Sequence, residues 1–145
     1  MGYKVTRRMA LILFLIMMTL TIPLGYAIDW SPEMRFTWKN DGGDWSPSIA
    51  QASDGKIWVV WHSYRTGNAD IFYKVYDPSQ VHPWSSDKRL TTDPNTDIQP
   101  SIMRAKDGKL WVVWSTNRNG NYDIFYKVYD GVSWSPDTPL ITNPN

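Results

Sequence analysis

Fourteen side chains of this chain carry a carboxyl group, and Glu33 is the single glutamate among them. The aspartates recur in matched positions. Asp54 and Asp107 each precede Gly-Lys, while Asp70 and Asp123 each precede Ile-Phe-Tyr, five residues after Arg65 and Arg118. Two carboxylates can share acid–base work, but such a site uses each residue once and in its own environment. Identical recurrence points to construction instead. Asp54 and Asp107 read as turn caps. Arg65–Asp70 and Arg118–Asp123 read as ion pairs bracing a hairpin. His62 is replaced by Ser115 in the matching position, and His82 sits in a variable loop, so neither has an implied nucleophile or carboxylate partner. The chain has no Cys, which excludes thiol catalysis, disulfides and Cys-ligated zinc. This reading assigns no catalytic residue, no metal ligand and no cofactor.

The elements that carry these residues come from an internal repeat. Residues 44–77 align with 97–130 at a constant offset of 53, with 23 of 34 positions identical. The tail 84–95 aligns with 134–145 at an offset of 50. A weaker echo of that tail begins at Trp30-Ser31-Pro32-Glu33. A period near 50 with strand-rich patterning predicts propeller blades. Each copy supplies four strands: 48–52, 57–63, 70–76 and a last one from 84 through 90, with counterparts at 101–105, 110–116, 123–129 and 134 through 140. Ile57, Val59 and Trp61 alternate with Trp58 and Val60, so both sheet faces are apolar and both need cover. Asp54-Gly55 and Asp107-Gly108 predict tight hairpin turns. The fold expected is all-β: a partial β-propeller of two four-stranded antiparallel blades plus one N-terminal strand of a further blade.

Pro-Ser, then Asp-Gly-Lys-x-Trp-Val-Val-Trp, then Arg-x-Gly-Asn-x-Asp-Ile-Phe-Tyr resembles the repeats of TolB-like β-propellers. Arg118, Gly120, Asn121, Asp123 and Ile124 carry that match, while Ala52-Ser53 and Ala105-Lys106 stand where the family has Ser-Pro. The repeats are also similar to those of sialidase-like propellers with an Asp-box, although here Asp54 and Gly55 are adjacent. The likeness covers about 100 residues. It implies a fold and little about activity, because such folds host many functions. Sialidase chemistry would require clustered arginines and a tyrosine with a glutamate partner, which Glu33 alone does not supply.

The N-terminus reads as an address. Lys4, Arg7 and Arg8 precede an uncharged run at 9–20, and Gly25-Tyr26-Ala27 forms a small-residue cleavage site. The alternative is an uncleaved anchor, since 9–27 is close to spanning length. The expected organisation is a signal peptide or anchor at 1–27, a lone outer strand and linker at 28–43, blade 1 at 44–96 and blade 2 at 97–145. Two blades fall short of a closed ring, which suggests a truncated member of a longer family. Net charge is +1, without a basic field for nucleic acid.

In a meander the loops after strands two and four share one end. That places Arg65, Asn68, Arg118, Asn121, Asp44 and Asp97 at one face, the expected surface for a protein or carbohydrate ligand. The function expected is an exported, non-catalytic repeat protein with a binding or assembly role at the cell surface. Its open blade faces would be covered by self-association or by a partner chain. The alternatives are a fragment of a sialidase-like glycoside hydrolase and a nonfunctional remnant of a longer gene. A membrane enters only if the N-terminal segment stays uncleaved.

Overall fold

A computed structural model describes residues 32–37 and 42–141. The expected signal peptide or anchor at 1–27 lies outside the described residues. By contact the chain divides into Met1–Arg35 and Phe36–Asn145. Of the first unit, residues 32–35 are described; they are exposed and without regular structure. Everything below concerns the second unit.

Eight strands form two separate four-stranded antiparallel sheets. The first sheet holds β1 (Asp44–Gln51), β2 (Ile57–Ser63), β3 (Asp70–Tyr76) and β4 (Lys88–Arg89) in sequence order. The second holds β5 (Asp97–Arg104), β6 (Leu110–Thr116), β7 (Asp123–Tyr129) and β8 (Thr138–Ile141). They are the two expected blades, and they do not close into a ring. No helix among the described residues is long and apolar enough to cross a membrane.

The central strands match the sequence reading residue for residue, and the turns before them behave as expected. Gly55 at φ 82° and Gly108 at φ 86° take the left-handed conformation of the Asp-Gly turns. Asp54 and Asp107 each accept a hydrogen bond from the backbone N–H two residues on, at 3.2 Å.

The first strand of each blade starts earlier than expected because of a bulge. The ladder shifts between Trp45 and Ser48, and between Ile98 and Ser101. Pro47 and Pro100 have no N–H to give a ladder, so the chain bulges one residue before each. There Ser46 and Gln99 sit at φ 53° and 56°. The last strand is shorter than expected. The Ser85 and Ser135 hydroxyls accept hydrogen bonds from Val75 and Val128 N–H, at 3.1 and 3.0 Å. Side chains thus take over ladder bonds there, leaving isolated bridges at Trp84 and Trp134.

Burial follows the stacking of the blades. In β2 the face with Trp58 and Val60 is buried, whereas Val59 on the opposite face is partly exposed. In β6 the pattern inverts: Leu110, Val112 and Trp114 are buried, and Trp111 and Val113 are partly exposed. The paired valines exchange environments because each blade covers one face of the other, whereas Trp61 and its counterpart Trp114 are both buried. The shared core runs from Trp58, Val60, Ile71 and Leu90 to Ile102, Val112 and Phe125. The outer faces keep Ile49 and Met103 well exposed.

A lysine closes each blade against the preceding segment. Lys127 Nζ donates to Leu90 O at 3.2 Å, and Lys74 Nζ donates to Phe36 O at 3.0 Å. Lys74 is buried and Lys127 is half-buried. Phe36 also meets Trp84 and Trp61 edge-on, at 4.6 and 6.0 Å between centroids. Phe36 therefore stands against blade 1 as Leu90 stands against blade 2. The lone strand expected within 28–43 is not formed where it is described: residues 32–37 make no ladder. One lysine and two ring edges hold Phe36 where a ladder partner would otherwise be required.

Candidate functional site

The end of the blades expected to bind a ligand is built from internal ion pairs. Arg65 leaves the loop between β2 and β3 with its side chain 5 % exposed. Its Nη1 donates to Asp87, its Nη2 to Asp44, and its Nε to Ser63 Oγ at 3.0 Å. The guanidinium lies over Phe72, 4.8 Å from the ring centroid. Asp44 also accepts from Trp61 Nε1 at 3.0 Å, and Lys74 pairs with Asp87 at 3.0 Å. Blade 2 repeats the set. Arg118 binds Asp137 at 2.9 Å and Asp97 at 3.0 Å, and lies 4.4 Å from the Phe125 centroid. Trp114 Nε1 donates to Asp97 at 3.0 Å, and Lys127 pairs with Asp137 at 2.8 Å.

Burial works against charge on these groups, and the pairing overrides it. Burial pulls the Arg65 guanidinium down, but bonds to Asp87 and Asp44 outweigh it and leave the pKa raised. Burial pushes the Asp44 carboxyl up, but bonds from Thr37, Arg65 and Ser63 bring it below its ordinary value. Arg118 is raised by Asp137 and Asp97 against the same burial.

The expected hairpin braces are corrected by this arrangement. Arg65 and Arg118 reach carboxylates 19–22 residues away rather than Asp70 and Asp123. Asp70 is fully buried and is held by Thr66 Oγ1 and by Arg89 Nη2 at 2.6 Å. Asp123 accepts from Asn119 Nδ2 at 2.9 Å. Reach explains the difference. A long guanidinium lying across the blade satisfies two carboxylates, while the short side chain at the next loop position serves the nearer aspartate.

Of the six residues expected at a ligand surface, Arg65, Asp44, Arg118 and Asp97 are thus spent on internal ion pairs, and Arg118 also reaches Asp93 of blade 1 at 3.8 Å. Asn68 Nδ2 donates to the carbonyls of Asp93 and Asn95, at 2.9 and 2.7 Å, and ties two loops together. Asn121 is half-buried, and its Oδ1 has no hydrogen-bond partner. The structure brings Arg65 to Asp44 and Arg118 to Asp97. It does not gather the six side chains into one open surface. Among the described residues no group of three or more His, Asp or Glu is placed to hold a metal ion. The four tryptophans of the central strands divide: Trp58 and Trp114 are buried with the shared core, Trp61 is buried outside it against Phe36 and Arg65, and Trp111 is partly exposed on the outer face of blade 2.

Sequence reasoning missed an open groove between the blades. It measures about 680 Å³ and is lined by Trp45, Ser46, His62, Tyr64, Ile98 and Gln99, with Gly42 at its edge. Trp45 is 59 % exposed and Tyr64 is 46 % exposed. The two bulges deliver Ser46 and Gln99 to it. His62 Nδ1 accepts the Gln99 backbone N–H at 3.4 Å, which leaves the ring proton on Nε2. Burial lowers the His62 pKa, so the ring is neutral at neutral pH. Two glycines set the rim. A Cβ on Gly42 would lie 2.7 Å from the Tyr64 carbonyl carbon, and one on Gly43 would lie 2.7 Å from Trp45 Nε1. The signal that could have found this groove is where the two repeats disagree, whereas attention to matched residues leads to the internal networks.

No protein-family model matches the chain, and no curated protein matches it. Among solved structures it is similar to the Hadza microbial sialidase Hz136, with a TM-score of 0.50 and 14 % identity. That match covers 65 % of this chain and 24 % of the sialidase, so the chain spans about a quarter of that protein's length. At such identity the likeness concerns fold alone. What the chain has in common with that sialidase is the propeller-type blade, here in two four-stranded copies.

Proposed function

We propose that this chain is an exported, non-catalytic propeller-repeat module that works by binding and association. The observation that carries this reading is the division of its side chains. The arginines and aspartates at the loop end are consumed in internal ion pairs, while apolar residues stay uncovered on the two outer faces. Ile49 is 65 % exposed on one face and Met103 is 58 % exposed on the other. Each large apolar side chain left in water forgoes roughly 1.5–3 kcal/mol. A few of them weigh heavily against a domain stability of about 5–15 kcal/mol.

A second copy of the chain suits these faces. The outer face of blade 2 presents Trp111, Val113 and Tyr126, the counterparts of Trp58, Val60 and Tyr73 in blade 1. The outer face of blade 1 presents Ile57 and Val59, the counterparts of Leu110 and Val112, while Trp61 on that face is already buried against Phe36 and Arg65. Two copies can therefore meet through the contact that already joins the blades. A separate chain with propeller blades would meet the same faces. Export rests on the N-terminal charge pattern, apolar run and small-residue site.

Sedimentation equilibrium on the exported chain tests association. The expected result is a mass above the monomer that grows with concentration; a monodisperse, cooperatively melting monomer at micromolar concentration overturns it. N-terminal sequencing of secreted material is expected to begin at Ile28. Turnover of a fluorogenic sialoside would favour the glycoside hydrolase reading instead.

A further inference from the structure

Each groove residue that lies within the repeat stands where the two copies differ. Trp45 corresponds to Ile98, Ser46 to Gln99, His62 to Ser115, and Tyr64 to Asn117. Where the copies agree, the residues build blades: the Asp-Gly turns, the Trp-Val-Val-Trp strands and the arginine networks. The groove residues are surplus to that construction, because the same strand positions tolerate other side chains in the other blade.

We infer that this groove is a binding site for a neutral saccharide. Its volume of about 680 Å³ lies within the usual range for small-ligand sites. Two aromatic side chains, Trp45 and Tyr64, are held open to solvent at its wall. Aromatic rings of this kind offer an apolar face to the C–H face of a sugar ring, and their polar ends offer hydrogen bonds. The remaining polar groups are the Ser46 hydroxyl, the Gln99 amide and the Nε2–H of neutral His62, which suit the hydroxyl rim of a hexose.

No charged side chain is among the described lining residues. The adjacent Arg65 is buried against Asp44 and Asp87 and has no free donor fork to turn toward an anion. Among the described residues the groove thus offers no counter-charge of the kind an anionic sugar or a nucleotide requires. The wall is also preorganised. Ser46 and Gln99 are held in the left-handed region by the bulges before Pro47 and Pro100, and Gly42 and Gly43 pack against Tyr64 and Trp45.

This inference deepens the binding half of the reading above and is independent of the association half. Titration of the full chain with lactose, cellobiose and N,N′-diacetylchitobiose, followed by calorimetry and tryptophan fluorescence, tests it. At least one neutral disaccharide is expected to bind with a Kd on the order of 1 mM or tighter, and 3′-sialyllactose less tightly. Trp45→Ile and Tyr64→Asn install the residues that blade 2 already accommodates, so the blades keep their circular dichroism and melting. Each is expected to weaken binding about tenfold or more. Met103→Ala, on the outer face of blade 2, is expected to change sedimentation and leave sugar binding unchanged. Failure of all three disaccharides to bind overturns the inference. So does tighter binding of sialyllactose or of an unstructured neutral peptide, or unchanged affinity in both groove variants.

Discussion

Val60 and Val113 occupy the same place in the same Trp-Val-Val-Trp string, yet one is fully buried and the other is partly exposed. Val112 and Val59 form the reciprocal pair, with Val112 fully buried. Replacing each in turn by Ala gives four variants with identical chemistry and different surroundings. Val→Ala removes the equivalent of two methylene groups, or about 1.6 kcal/mol of transfer free energy at a buried site. The unfilled space adds to this, so Val60→Ala and Val112→Ala are expected to cost about 2–3 kcal/mol. Val59→Ala and Val113→Ala are expected to cost less than about 1 kcal/mol, since water already reaches those sites. At about 4 °C per kcal/mol for a domain of this size, the buried pair melts about 8–12 °C lower and the outer pair less than about 4 °C lower. Urea unfolding at low micromolar protein measures the four costs. If copies associate through their outer faces, the penalties at Val59 and Val113 rise with protein concentration, while those at Val60 and Val112 are already full. Equal costs at all four positions in dilute protein would refute the argument that blade stacking decides which face is buried.

Three further expectations follow from the ion pairs, the histidine and the glycine rim. Arg118→Met leaves the fully buried Asp97 carboxylate with Trp114 as its remaining side-chain donor and is expected to cost about 3–5 kcal/mol. Adding Asp97→Asn removes the orphaned charge and is expected to recover part of that loss, which a double-mutant cycle in urea measures. Burial holds His62 below its ordinary value of 6.5, so the unfolded chain takes up this proton first. The stability His62 contributes is complete above pH 6.5 and declines as pH falls through that value; His62→Ser is expected to flatten this slope in pH-dependent melting. Asp44, lowered despite its burial, adds a separate loss below pH 3.8. Gly42→Ala places a methyl group against the Tyr64 backbone at φ 97° and is expected to cost about 1–3 kcal/mol and to shift the Tyr64 environment in fluorescence.

The repeat, the Asp-Gly turns and the alternating central strands were determined by sequence alone. Their signals are local: period, turn chemistry and the two-residue alternation of a strand. For that reason β2, β3, β6 and β7 were legible to the residue. The first strands were legible less well, because a bulge before proline starts the ladder earlier than the apolar pattern does. The last strands were overextended, because serine hydroxyls replace ladder bonds in a way that composition does not display. The nearest aspartate in sequence to Arg65 is Asp70, but a guanidinium chooses its partners in space, and Asp44 arrives from β1 and Asp87 from the segment before β4. Tertiary structure alone also decided which face of each sheet is covered. Identical strings in β2 and β6 carry identical alternation, and only the neighbouring blade makes Val60 and Val112 core while leaving Val59 and Val113 at the edge. The groove was hidden for the same reason. Its residues come from three strand ends and two loops, those within the repeat differ between the copies, and the bulges and blade stacking that bring them together leave no mark on any one segment.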